Sequence, residues 1–250
     1  MNIRNRYPEI DLLRTIAILG MVVYHTAFDL AVFYGWEIAV FVGGWKILAR
    51  STAILFLLLV GISFVISWGK NTVGQEYSCP TVFFLLWKKY LPRGLKIFAW
   101  GILISIVTFI INPDTYVRFG ILHMIGLSTM LLPFLTPLHS GNFILGIMII
   151  ALGPVIGQLH ADIPFLLPLG ISPRFFSSVD YFPLVPWLGV ILVGIGLGSV
   201  LYNRNVRWRP QFLDTFPAPL TWPGQNALWI YLLHQPILIL ILSMVLRFPF

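Results

Sequence analysis

Four ionisable side chains, Asp11, Arg14, His25 and Asp29, stand inside one long apolar run near the N-terminus. At about 100° per residue in a helix they fall within an arc of about 60° on a single face. Charged groups are costly inside a membrane and are retained where they line a substrate, ion or proton path. His25 and Asp29 are an i,i+4 pair and so neighbours on the helix surface. A carboxylate beside an imidazole can hold one ring nitrogen protonated and leave the other free as a base. Asp11 and Arg14, at i,i+3, can pair and neutralise each other. Arg14 and His25 are separated by about 16 Å along the axis, which puts the histidine in the outer half of the span. The row reads either as a base with supporting charges or as two pairs that stitch this helix to its neighbours.

Three other residues are candidates for a cavity lining or a substrate contact. His123 lies in Arg118-Phe119-Gly120-Ile121-Leu122-His123-Met124-Ile125-Gly126, at the outer start of the fourth apolar span. It reads equally as a second base or substrate ligand and as an interfacial histidine with a satisfied hydrogen bond. His234 lies mid-span in Tyr231-Leu232-Leu233-His234-Gln235-Pro236, where the proline removes one backbone hydrogen bond and frees the carbonyl of Leu232. A His-Gln pair beside such a kink suits a cavity lining, and a structural hydrogen bond equally. Asp180, in Asp180-Tyr181-Phe182-Pro183-Leu184-Val185-Pro186-Trp187, leaves the longest external loop and is expected to point toward an external vestibule. His139 and His160, at loop edges, receive no role. The single cysteine, Cys79, excludes an internal disulfide and any CxxC metal or redox pair. No metal is expected, and GxGxxG, Walker, HExxH and GxSxG signatures are absent.

Such residues need a scaffold, and composition names its solvent. Of 250 residues, 58% are hydrophobic and 10% charged, and the mean hydropathy is +0.88. Soluble domains carry about 25% charged residues, and one core of this length cannot hide so much apolar surface. Lipid must be the main solvent. That excludes a cytosolic enzyme, a disordered chain, a nucleic-acid binder and a small disulfide scaffold.

A bilayer core takes roughly 20 apolar residues per helix. Seven stretches qualify: Ile10–Phe33, Ile47–Trp68, Leu95–Ile111, Phe119–Leu138, Phe143–Gln158, Pro183–Tyr202 and Ala227–Leu246. Phe83–Leu91 is a further apolar patch, expected to be interfacial rather than spanning. The first run is too long for a signal-peptide core and lacks an A-x-A-like cleavage site, so it reads as a retained span. With the N-terminus cytoplasmic, inner loops hold Arg4, Arg6, Lys70, Lys88, Lys89, Arg93, Arg204, Arg207 and Arg209. The outside then holds Lys46, Arg118, Arg174 and Arg247, the asymmetry that orients membrane proteins. The net charge of +7 needs no nucleic acid to explain it. The inner cations, Lys96 included, could also meet the phosphates of a cytoplasmic donor. The expectation is an all-α integral membrane protein, a single domain over 1–250 with about seven helices. It would be multi-pass in a prokaryotic inner or plasma membrane, with the lipid bilayer as a partner and homo-oligomerisation left open.

Arg14 and His25 are separated by ten residues in IDLLRTIAILGMVVYHTAFD. That spacing resembles the R-x10-H signature of the transmembrane acyltransferase-3 group, whose histidine is taken as catalytic. More closely, the chain resembles the prokaryotic family named after the catalytic domain of heparan-alpha-glucosaminide N-acetyltransferase. The segments that carry the likeness are IDLLRTIAILGMVVYHTAFDL, FLLLVGISF, RFGILHMIGLS, DYFPLVPWLGVILVGIGLG and IYLLHQPIL, in order from the first span to the last.

The resemblance implies an integral-membrane acetyltransferase that takes acetyl-CoA as co-substrate from the cytoplasm. The acetyl group would go to an amino or hydroxyl acceptor, often on a sugar or glycan, at the opposite face. Two positions depart from the pattern. Thr15 stands where glycine is common after the arginine. The loop after the first span, where the lysosomal branch places its histidine, reads Phe33-Tyr34-Gly35-Trp36. Either the role passes to His25, as in the acyltransferase-3 pattern, with His25 as general base oriented by Asp29, or the chemistry differs. Arg14 would contact the donor's phosphates or pantetheine, held by Asp11, while His123, Asp180 and His234 would line the acceptor cavity. The same row also fits a proton- or anion-coupled transporter or flippase-like module, although no repeated halves are present. A third reading is a non-catalytic membrane subunit with the row as its docking face.

Overall fold

The computed structural model describes residues 7–71, 80–202 and 218–246, with the side chains of 70, 71, 80–86 and 218 left undescribed. Arg4, Arg6, Cys79, Arg204, Arg207, Arg209, Arg247 and the Lys70 side chain lie outside the described residues. Eight α-helices follow in order: α1 Pro8–Tyr34, α2 Gly43–Asn71, α3 Pro80–Ile111, α4 Ile121–Leu135, α5 Gly141–Ile156, α6 Leu184–Leu201, α7 Ala218–Gln225 and α8 Ala227–Leu246. Short 3-10 turns occupy Thr136–Leu138 and Pro164–Leu169. No strand forms among the described residues, which contain two isolated bridges, Phe119 with Tyr181 and His160 with Ser172.

Among the described residues, six helices are long and apolar enough to cross a membrane: α1, 43–69 of α2, 87–111 of α3, 121–138, α6 and α8. With the shorter α5, the expected seven apolar helices are all found. The chain is an all-α, multi-pass membrane protein.

One expectation is corrected. The patch Phe83–Leu91 is not separate from the third span, because α3 runs unbroken from Pro80 to Ile111, through Lys88, Lys89, Pro92 and Arg93. Pro92 and Gly94 read as loop formers in water. In lipid an opened backbone has no water to bond to, so the helix continues through them. Gly94 lacks a side chain where α4 comes close: a Cβ there would stand 2.7 Å from the carbonyl oxygen of Gly126 on α4. Lys88, Lys89 and Arg93, expected in an inner loop, are thus mounted on the third and fourth turns of α3.

The chain divides into two compact units, 1–59 with 208–250 and 60–207. In the second unit α5 packs on α6 and α3 on α4. Met124, Leu132, Ile191, Leu192 and Ile195 form its core, all at 0% exposure. Gly146 and Gly189 mark the α5–α6 contact, since a Cβ on either would press on the other's carbonyl oxygen at 2.6 Å. Small residues at such crossings are how helices associate where no water drives them together.

In the first unit α1 packs against α7 and α8. Pro8 opens α1 at a position where its missing N–H loses nothing. Glu9 and Asp11 then complement the positive end of the helix dipole. Gly35 closes it at φ 67°, a left-handed conformation that favours glycine. Leu13, Ile16, Leu19 and Val23 are exposed along one side of α1. At 100° per residue this apolar stripe lies opposite Asp11, Arg14, His25 and Asp29, so the ionisable row faces protein rather than lipid.

Candidate functional site

The cytoplasm-proximal end of the row, by the orientation expected from the charges, is a small clamp. Arg14 Nη1 donates to Asp11 Oδ1 at 3.1 Å. Thr15 donates from Oγ1 to the Asp11 carbonyl at 3.0 Å and accepts the Gly224 N–H at 3.0 Å. Gly224 belongs to α7, and a Cβ there would overlap the Asp11 carbonyl. The α7 backbone therefore seats directly on the turn that carries Asp11 and Arg14. Sequence reading had given Thr15 no part in this.

Further along α1, the hydrogen bond expected between His25 and Asp29 is not the one formed. His25 Nδ1 bonds the Met21 carbonyl of its own helix at 2.9 Å. Asp29 Oδ1 instead accepts Gln235 Nε2 of α8 at 2.6 Å. A carbonyl oxygen can only accept, so Nδ1 carries the proton and Nε2 of His25 keeps its lone pair. His234 is held in the same tautomer by the Tyr231 carbonyl at 2.6 Å. The two imidazoles meet edge to face, with ring centroids 4.8 Å apart at 80°. Tyr24 closes on His25 from its own helix at 5.5 Å.

Asp29 is completely buried, and its second oxygen, Oδ2, has no partner; neither has His234 Nε2 or Gln235 Oε1. Sequence reading placed Gln235 in a His-Gln pair suited to a cavity lining or a structural hydrogen bond, and did not join it to Asp29. A glutamine in mid-span beside a histidine and a proline was its available signal.

His123 and Asp180 belong to the second unit, whereas His234 joins His25 and Asp29 in the first. His123 is 4% exposed, between the rings of Phe98 and Phe119 at 5.1 and 5.5 Å. The Gly120 N–H donates to its Nδ1 at 3.2 Å, so the proton sits on Nε2, the opposite tautomer to His25. Asp180 Oδ2 accepts the Ile121 N–H at 3.0 Å. Gly120, the residue at the start of α4, has no side chain to cap the helix, and Asp180 supplies the cap from the far end of a long loop. Ser178 fixes that loop by donating to the Tyr116 and Asp180 carbonyls, both at 2.9 Å. Tyr181, pushed up to about 12 by burial, donates to the Leu167 carbonyl at 2.7 Å.

Burial pushes the Asp180 carboxyl up from 3.8 to about 6, with the Ile121 N–H pulling the other way. Stability from a carboxyl raised on folding is full below pH 3.8 and is lost as pH rises through about 6. Asp180→Asn keeps an oxygen for Ile121 but does not titrate. Thermal scans of the detergent-solubilised protein should therefore lose part of their decline between about pH 4 and pH 7. An unchanged pH slope would remove Asp180 as its source.

Among the described residues, no group of three or more His, Cys, Asp or Glu side chains is arranged to hold a metal ion. A family model described as "Heparan-alpha-glucosaminide N-acetyltransferase, catalytic" matches residues 6–236. No curated protein and no solved structure gives a significant match.

Proposed function

The chain belongs to the heparan-alpha-glucosaminide N-acetyltransferase catalytic-domain family, and from that premise we propose that it is a membrane acetyltransferase. Its donor is acetyl-CoA taken from the cytoplasmic side. Its acceptor is an amino or hydroxyl group, on a sugar or glycan, presented at the outer face of the cell membrane.

In this proposal His25 is the general base. Its Nε2 takes the acceptor's proton as the new N–C or O–C bond forms to the acetyl carbon. The thioester C–S bond breaks, and the CoA sulfur leaves as a thiolate that is then protonated. Asp29, one helical turn away, offsets the positive charge that develops on the imidazole. Arg14, oriented by Asp11, contacts the phosphates or pantetheine of the donor. His234 stands beside the acceptor. His123 and Asp180 make local bonds that fix the start of α4, and no step is routed through them.

The observation that carries this reading is the tautomer of His25. Its Nδ1–H is committed to the Met21 carbonyl at 2.9 Å, which leaves Nε2 as a base on a helix face turned away from lipid.

The test is CoA release by proteoliposomes carrying the purified protein, supplied with labelled acetyl-CoA on one side and glucosamine on the other. Acceptor-dependent release with transfer of the label is the expected result. Absence of label transfer to any amine or alcohol tried would sink the assignment. Proton-coupled uptake without consumption of acetyl-CoA would replace it with the transport reading.

A further inference from the structure

Buried polar atoms are almost always hydrogen-bonded, and each one that is not calls for a physical explanation such as strain, a catalytic role or a bound group. Three such atoms occur together where α1 meets α8: Asp29 Oδ2, Gln235 Oε1 and His234 Nε2. Their residues are already tied to one another or to the backbone. One N–H of Gln235 Nε2 goes to Asp29 Oδ1 at 2.6 Å, and the N–H of His234 Nδ1 to the Tyr231 carbonyl at 2.6 Å. His25, whose ring touches that of His234, adds a fourth acceptor, its Nε2 lone pair.

With Asp29 ionised, all four of these atoms accept hydrogen bonds and none of them donates. A phosphate, a carboxylate or a thioester carbonyl brings further acceptors and would leave every one of them unmatched. A group rich in N–H or O–H answers them all.

From this mismatch we infer that the Asp29–Gln235–His234 patch is the acceptor subsite and that Gln235 is its specificity-determining residue. The inference rests on the transfer reading for what the subsite serves, but not for what it binds. The acceptor enters donor-first, with its amine or hydroxyls against Gln235 Oε1, Asp29 Oδ2 and His234 Nε2. The acyl donor, whose phosphates and carbonyl are acceptors, keeps out of this patch. The amide of Gln235 has two tasks. Its nitrogen holds Asp29 in place, and its oxygen receives the ligand.

Two substitutions separate the tasks. Gln235→Met removes both. Gln235→Lys keeps a donor for Asp29 and removes the accepting oxygen. The experiment measures the thermal shift of the purified, detergent-solubilised full chain with glucosamine, glucose and acetate as probes.

Glucosamine is expected to raise the melting temperature of the wild type saturably, and acetate, which has no donor, is not. A response to glucose as well assigns the contact to hydroxyls; a response confined to glucosamine assigns it to the amine. Gln235→Lys should melt near the wild type without ligand yet need at least ten times more glucosamine for the same shift. No response of the wild type to either sugar would overturn the inference, as would an unchanged response of Gln235→Lys. The wild-type comparison of probes stands even if Gln235→Met does not fold. Gln235-dependent binding without CoA release would defeat the transfer reading and leave the subsite standing. CoA release with an unchanged acceptor KM in Gln235→Lys would do the reverse.

Discussion

His25→Ala is expected to lower acetyl transfer by about 10²- to 10⁴-fold, the range that a positioned general base contributes. The loss should fall on kcat, because proton removal belongs to the transition state and the ring is not needed to hold the donor. The folded protein should survive the change. His25 is only part-buried, its one hydrogen bond runs to its own helix, and its ring contacts are with Tyr24 and His234. Labelled acetyl transfer, with melting temperature measured alongside, checks both halves. A variant that folds and keeps wild-type turnover would return the row to a structural role. Loss of turnover together with loss of folding would be uninformative for alanine, and His25→Asn, which retains a polar group of similar size, then decides.

The largest effect on stability is expected from Gly61→Val. Gly61 lies in the part of α2 that belongs to the second unit, where α6 crosses it. A Cβ at this position would overlap the Ile191 carbonyl oxygen and stand 2.9 Å from the Ile195 nitrogen and 3.0 Å from the Gly194 carbonyl carbon. All three are main-chain atoms, so no side chain can turn aside to relieve the contact. The helices would have to part, and Ile191 and Ile195, both at 0% exposure, would lose their packing. Overpacking a tight core costs about 1–3 kcal/mol when side chains can shift; here the cost should sit at or above that upper end. A sharp fall in melting temperature or in yield of monodisperse protein is the expected readout. A wild-type melting temperature for Gly61→Val, or for the milder Gly61→Ala, would show that the crossing is looser than described.

Much of the fold was legible because lipid demands long apolar runs, and such runs are visible in any sequence that has them. The patch Phe83–Leu91 was set apart from the third span, whereas α3 runs on through Pro92 and Gly94, which end helices in water but are tolerated where the backbone must bond to itself. α7 gave no comparable signal. It has eight residues, and its seat on α1 depends on the absence of a side chain at Gly224.

The candidate site divides along the same line. The spacing of Asp11, Arg14, His25 and Asp29 fixed their common face, because helical period is a property of one segment. It also anticipated the Asp11–Arg14 pair, whose members sit three residues apart. It could not supply the partner of Asp29, because Gln235 is 206 residues away and its bond depends on how α8 is rotated against α1. Asp180 is a similar case. Read alone it was a vestibule acid, yet its oxygen caps a helix that begins 59 residues earlier.

By itself, then, the sequence determined the solvent, the approximate number of helices and the one face of α1 that carries charge, since each follows from composition or from period within a single run. The packing of α7 and α8 decided which atoms of that face are bonded and which are left open. Those contacts join residues with no fixed relation along the chain, and no local pattern records the angle at which two helices meet.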